Sequence, residues 1–287
     1  MAYIELDFES QYYGGNTQVS IFLPDRDRAM SNKEFFTSGK KYPVLWLLHG
    51  THGDHTDWLR KSKVEVYSRE RGLIVVMPSV QNSDYTDWPG FGTGFDSFRM
   101  IRDELVPLVH NWLPASDKPE DNFVAGLSMG GSGALKFALN CPEVFGAGAV
   151  LSYAPRDIDT PKDLFEGAIN GDDLRLRNQV NNAGGADAFR NSIDNSFRQV
   201  MELHAAGKLP KLYFCIGTED FLYDPLYVPF KKACQEKGID IRFEEEPGMG
   251  HEWRFWDPYI EKSMDFFGIP KLPYADSFRG LKGRKFL

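Results

Sequence analysis

Cysteine is scarce in this chain: Cys141, Cys215 and Cys234 are the whole set, and their spacings are unrelated. Three scattered thiols support neither a disulfide framework nor a cysteine-based zinc site, so a reducing cytoplasm is the expected compartment. Long apolar runs are missing as well. No window reaches the roughly 18 consecutive apolar residues that a membrane span requires, and the opening Met1-Ala2-Tyr3-Ile4-Glu5-Leu6-Asp7-Phe8 carries no cationic leader. An unexported protein without a membrane partner is expected. Positive charge is in deficit, with 33 Lys and Arg against 41 Asp and Glu. A net charge of -8 disfavours nucleic acid, whose phosphates need clustered cations that release counterions. The single basic cluster, Arg279 to Lys285, reads as a solvated end.

What the chain does have is alternation. Apolar runs bounded by turn residues predict strands at Ile4 to Phe8, Thr17 to Leu23, Pro43 to Leu48 and Leu73 to Met77. Four more follow at Phe123 to Gly126, Ala147 to Ser152, Leu212 to Ile216 and Ile239 to Glu245. Helical stretches fall between them at Met100 to Trp112, Gly130 to Leu139, Val228 to Lys237 and Pro258 to Phe267. Strand-helix alternation of this length predicts an α/β fold with a mostly parallel eight-stranded sheet covered by helices on both faces. The first two strands, joined through Gly14-Gly15-Asn16, are expected to form an antiparallel edge hairpin. Residues 1–287 are read as one catalytic domain. One segment, Tyr153 to Leu209, is far longer than a crossover helix needs and is largely polar; residues 153–209 are expected to form a cap-like insertion over the active site. Stretches in it such as Phe197 to Ala205 carry too few apolar residues for an independent core.

The strongest motif is Gly126-Leu127-Ser128-Met129-Gly130-Gly131, which follows the short strand Phe123-Val124-Ala125. A serine nucleophile needs a sharp strand-to-helix turn that exposes its hydroxyl, with glycines that let strand and helix approach closely. The helix onset contributes unpaired N–H groups and a positive dipole end where negative charge develops on substrate oxygen. In this arrangement an acid and then a histidine follow the serine along the chain. The strand Leu212 to Ile216 runs into Gly217-Thr218-Glu219-Asp220, which puts Asp220 at the carboxyl edge of the sheet; spacing leaves Glu219 and Asp224 as rivals. His251 is the only histidine after Asp220 and follows the last strand. It is the candidate base, with Asp220 to hold its tautomer. For the oxyanion hole, Met129 supplies the N–H after the nucleophile, and Thr51, in the His49-Gly50-Thr51-His52-Gly53 loop, supplies the second. A metal reading of His49, His52, His55 and Asp54 is set aside, because Gly50 and Gly53 break any rigid ligand face and the triad needs neither metal nor cofactor. His110 and His204 lie in helical stretches and read as structural.

These pieces resemble the esterase D-like branch of the α/β-hydrolases, which includes tributyrin esterases, S-formylglutathione hydrolases, and acetylxylan and feruloyl esterases. The resemblance spans most of the chain. It is carried by Ile4 to Leu23, Leu47-Leu48-His49-Gly50, His55-Thr56-Asp57-Trp58, Glu104-Leu105-Val106-Pro107, the elbow, Gly217-Thr218-Glu219-Asp220, and Gly250-His251-Glu252-Trp253 with Trp256. It implies the α/β-hydrolase fold, the triad Ser128, Asp220 and His251, and oxyanion donors at Thr51 and Met129. Trp88, Phe91 and Trp253 are the candidate substrate contacts, the first two in the aromatic loop Tyr85 to Phe91. The implied activity is a serine carboxylesterase for short acyl esters. The alternative is a carbohydrate esterase on acetylated or feruloylated polysaccharide fragments, with Trp88, Phe91 and Phe95 as stacking surfaces. A glutathione thioester role is disfavoured, since no reactive-looking cysteine motif is present. A hydrolase-fold binding protein without catalysis would have no need of all three triad members. The expected partner is a small-molecule or oligosaccharide ester; a homo-oligomer is compatible with the sequence.

Overall fold

The computed structural model describes residues 1–26, 30–159, 162–171 and 173–272; the basic cluster Arg279 to Lys285 lies outside them. Eight strands form one sheet: β1 (Ala2–Ser10), β2 (Gly15–Leu23), β3 (Val44–Leu48), β4 (Ile74–Pro78), β5 (Asn122–Leu127), β6 (Ala147–Leu151), β7 (Lys211–Gly217) and β8 (Arg242–Glu246). Their order is β1-β2-β4-β3-β5-β6-β7-β8. β1 and β2 pair antiparallel as the edge hairpin, β2 pairs antiparallel with β4, and every pairing from β4 to β8 is parallel.

The uniformly apolar strands sort their side chains by the two-residue period of a strand. In β3, Val44, Trp46 and Leu48 enter one core while Leu45 and Leu47 enter the other. β4 and β7 divide likewise, with Ile74, Val76, Phe214 and Ile216 on the first side and Val75, Met77, Tyr213 and Cys215 on the second. Helices cover both faces, which is why these strands carry no polar alternation. The first core takes the helices Val106–Trp112 (α1), Met129–Asn140 (α2) and Val228–Glu236 (α6); the second takes Trp253–Phe266 (α7) through Phe255, Trp256, Tyr259, Ile260 and Met264.

Three elements differ from expectation. α7 begins at Trp253 and contains Pro258, so the proline does not start the helix. The buried run Phe255, Trp256, Tyr259 and Ile260 holds the chain helical on both sides of it. The Met100 to Trp112 stretch is divided, with a π-helical segment over Met100–Leu105 before α1, and a second such segment, Tyr223–Tyr227, precedes α6. Each lies just before a proline, Pro107 or Pro229. A proline has no N–H to give and crowds the carbonyl four residues back, so the preceding turn widens. The last strand is only Arg242–Glu246, although Ile239 and Ile241 are buried beside it.

The 153–209 segment folds as two unlike parts. Helices Lys162–Asn170, Leu174–Ala183 (α3) and Ala186–Arg190 surround a small core of their own, formed by Ile158, Phe165, Leu176, Val180 and Phe189. The last helix, Ser196–Ala205 (α5, with Ala186–Arg190 as α4), instead joins the main body. Val200 is in the first core, and Gln199 exchanges amide hydrogen bonds of 2.7 and 3.2 Å with Asn140 of α2.

Candidate active site

The elbow is built by close backbone approach. A Cβ on Gly126 would stand 2.2 Å from the Gly130 carbonyl oxygen, and one on Gly130 would stand 2.4 Å from that of Leu48. Only glycine permits β5 and α2 to meet at this spacing. Between them Ser128 adopts φ 52° and ψ -119°, a conformation that L-residues with side chains rarely hold. Ser128 N–H donates to Leu151 O at 2.8 Å, which ties the strained residue to β6. Met129 opens α2, so its N–H has no acceptor within the helix.

Sheet register assembles the remaining groups along one edge. Leu48 aligns with Gly126, so the loop after β3 runs beside the elbow. Gly50 makes this contact possible, since a Cβ there would lie 2.5 Å from Leu127 Cδ1 and 3.5 Å from Ser128 Cβ. Thr51 follows directly. Glu246 aligns with Gly217 at the ends of β8 and β7, which places the two loops carrying His251 and Asp220 next to each other. His251 Nδ1 is 2.8 Å from Asp220 Oδ2. Asp220 is 4% exposed and accepts the Leu222 N–H through Oδ1, whereas Glu219 and Asp224 face solvent. Geometry therefore separates three carboxylates that spacing leaves equivalent. The histidine is joined to the end of β6 through Trp256: the indole donates to Ser152 Oγ at 2.9 Å and its ring meets the imidazole edge-on at 5.0 Å. Phe221, largely exposed, also packs against the imidazole, with ring centroids 4.7 Å apart.

Other candidates fall outside this arrangement. His49 is buried, with Nδ1 2.7 Å from Gly50 O and Nε2 accepting the Val80 N–H at 3.1 Å. That pattern assigns the Nδ1–H tautomer, and burial lowers its pKa, so His49 is a neutral brace for the loop before Thr51. His55 bonds Ser20 Oγ and His52 is exposed. Among the described residues no group of three or more His, Cys, Asp or Glu is placed to hold a metal ion, and no helix is long and apolar enough to cross a membrane. The three thiols are buried; burial pushes Cys141 and Cys234 up to about 12 and holds Cys215 well above the ordinary thiol range, so none is an activated nucleophile.

A cavity of about 220 Å³ opens beside Ser128 and Met129 and is walled by the 153–209 segment. None of Trp88, Phe91 or Trp253 lines it. Trp88 donates to Ser83 O in a short hairpin, Phe91 is 68% exposed at the tip of that hairpin, and Trp253 packs on Trp58 and Trp256 within the second core. The wall carries instead three ion pairs: Lys136–Asp194 at 2.5 Å, Arg156–Asp173 at 3.2 Å and Arg175–Asp84 at 3.3 Å. Lys136 is 2% exposed and also donates to Thr86 Oγ1 at 2.6 Å and to the Asp84 carbonyl at 3.1 Å. Burial would raise the Asp194 carboxyl, but attraction to Lys136 and hydrogen bonds from Lys136 and Thr86 leave it below the usual range. The sequence carried one signal of this wall: Lys136 is the single cation in the apolar run Gly133 to Leu139, where a buried charge demands a partner.

The family model named Esterase ("Putative esterase") matches residues 10–262. The chain belongs to the esterase family. An acetyl esterase of Caldicellulosiruptor saccharolyticus is 30% identical over 271 residues, covering 93% of this esterase and 98% of that protein. Among solved structures, the fluorophosphonate-binding serine hydrolase FphF of Staphylococcus aureus superposes with a TM-score of 0.76 at 27% identity. The S-formylglutathione hydrolase FrmB of the same organism gives 0.74 at 28%. Each covers 93% of this chain and 98% of its own. This esterase is a serine ester hydrolase with the α/β fold of those relatives.

Proposed function

We propose that this esterase hydrolyses short-chain acyl esters through an acyl-enzyme on Ser128, with His251 as base, Asp220 as its orienting acid, and the Met129 and Thr51 N–H groups as oxyanion donors. The 2.8 Å His251–Asp220 hydrogen bond, on loops that register brings to the edge where Ser128 turns, is the observation that carries this reading. His251 Nε2 takes the Ser128 proton as Oγ bonds to the carbonyl carbon. The C=O electrons move onto oxygen, where the two N–H groups face the developing charge. Collapse expels the alcohol, protonated by His251, and water repeats the sequence to release the acid. Ser128 Oγ is not hydrogen-bonded to His251 here; such bonds commonly close only in the substrate complex.

Short acyl groups fit a cavity of about 220 Å³, walled by residues 153–209 acting as a cap. The acetyl esterase relative supports the same preference. Three buried free thiols agree with work in a reducing cytoplasm. A second reading, an esterase for acetylated sugars, is favoured by the three ion pairs in the cavity wall, which offer donors and acceptors to hydroxyl groups. Fluorophosphonate labelling and Ser128→Ala kinetics test the mechanism: labelling at Ser128 and loss of ester cleavage in the variant are expected, and near-normal turnover by Ser128→Ala would overturn it. A panel of aryl acetate, aryl butyrate, acetylated xylo-oligosaccharide, methyl ferulate and S-formylglutathione ranks the substrates.

A further inference from the structure

The loop that presents Thr51 is fixed on both sides of that residue. His49 is held through both ring nitrogens, and the His52 N–H donates to Asn82 Oδ1 at 2.8 Å. Thr51 itself is gripped through its side chain: Arg175, the second residue of α3, donates from one guanidinium nitrogen to Thr51 Oγ1 at 2.8 Å. The other nitrogen lies 3.3 Å from Asp84 Oδ1. Asp84 is in turn immobilised, since Lys136 of α2 donates to its carbonyl and its backbone is held at φ 56°. A closed path therefore runs from the nucleophile helix through Lys136, Asp84 and Arg175 to Thr51, and Gly50 returns it to Ser128. Arg175 also lines the cavity beside Ser128. At 45% exposure its side chain is the accessible link in that path, while Lys136 is buried.

We propose that Arg175 is a positioning residue for the oxyanion loop: by bridging Asp84 and Thr51 Oγ1 it aims the Thr51 N–H at the carbonyl oxygen of an ester bound at Ser128. This role rests on the assignment of Thr51 as an oxyanion donor. A guanidinium suits it because its planar fork reaches two acceptors at once in fixed directions; an ammonium is a single point charge on a flexible stem. Thr51 supplies the acceptor through a hydroxyl that contributes nothing else to the chemistry. Loss of the bridge leaves the N–H in place but no longer held, so the cost falls on turnover and not on substrate affinity.

The test uses the full chain with an aryl acetate, measured by steady-state kinetics and by the rate of fluorophosphonate labelling. Arg175→Gln and Thr51→Val are each expected to lower kcat by about tenfold with KM within about twofold, because small misplacements of a transition-state donor cost turnover steeply. The double variant is expected to lose no more than either single one, and Arg175→Lys to remain impaired. A raised KM at unchanged kcat in Arg175→Gln would make Arg175 a substrate contact and overturn the proposal, as would losses that multiply in the double variant. Wild-type kcat in both single variants, with Ser128→Ala inactive, overturns the role of Arg175 and leaves the site standing. Turnover by Ser128→Ala overturns both.

Discussion

Gly130→Ala tests the tight elbow in a way that opposes ordinary helix propensity. At an unconstrained helical position alanine is favoured over glycine by about 1 kcal/mol. At Gly130 the new Cβ would stand 2.4 Å from Leu48 O and 2.7 Å from His49 O. Both are backbone atoms and cannot rotate aside. Reaching even 3.0 Å requires α2 and the end of β3 to separate by about 0.6 Å. Overpacking of this kind costs about 1–3 kcal/mol, which cancels or outweighs the propensity gain and leaves a net loss of about 0–2 kcal/mol. The same shift moves Ser128 and Met129 away from the Thr51 loop; since about 1 Å of misplacement costs on the order of 100-fold, kcat should fall by roughly 10- to 100-fold. Gly167, in the helix Lys162–Asn170, is the control, because a Cβ there meets nothing within 4 Å. Gly167→Ala should stabilise by about 0.5–1 kcal/mol and leave kcat unchanged. Urea unfolding at constant m and aryl acetate turnover read both effects. If Gly130→Ala is as stable and as active as the wild type, strand and helix do not meet as described.

Asp220→Asn should lower kcat by about 10⁴-fold by spoiling the histidine tautomer, while Glu219→Gln and Asp224→Asn stay within about twofold; a dead Glu219 or Asp224 variant beside an active Asp220→Asn would relocate the acid. Lys136→Met leaves Asp194 buried without its cation and should cost about 3–5 kcal/mol by urea unfolding, part of it recovered in Lys136→Met/Asp194→Asn. A cost below about 0.5 kcal/mol would show that the pair is solvated. Burial lowers the His49 pKa, so the unfolded chain binds that proton more readily. The stability His49 contributes is complete above the ordinary histidine value of about 6.5 and is lost as pH falls below it. The stability gap between wild type and His49→Gln should therefore narrow from pH 7 to pH 5, and a gap that widens with acid would contradict a neutral buried ring.

Much of the fold was legible because its signals are local. Val44-Leu45-Trp46-Leu47-Leu48 could only be a strand covered on both faces, and Gly126, Ser128 and Gly130 mark a strand-to-helix turn whichever partners surround it. Where structure and local sequence signals differ, long-range packing overrides a local rule. Pro258 marks a helix start by propensity, yet lies inside α7 because Phe255, Trp256, Tyr259 and Ile260 bury a continuous face. The 153–209 segment lacked an evident core in sequence, yet Phe165, Leu176, Val180 and Phe189 converge into one from separate helices. Trp88 and Phe91 are candidates by aromaticity, but they sit on a short hairpin and neither lines the cavity.

By itself the sequence determined the reaction class, since a nucleophile elbow followed in order by a carboxylate and a histidine after late strands is a linear pattern. It also determined that the sheet is mostly parallel and doubly covered, since that follows from runs of apolar residues. Only the tertiary structure decided which carboxylate meets the imidazole, because Glu219, Asp220 and Asp224 differ by burial and direction and not by spacing. The same holds for the cavity wall. Lys136, Asp84, Arg175 and Thr51 come from four separate stretches of chain, and a charge finds its partner through space, where the low dielectric of a covered site makes pairing obligatory.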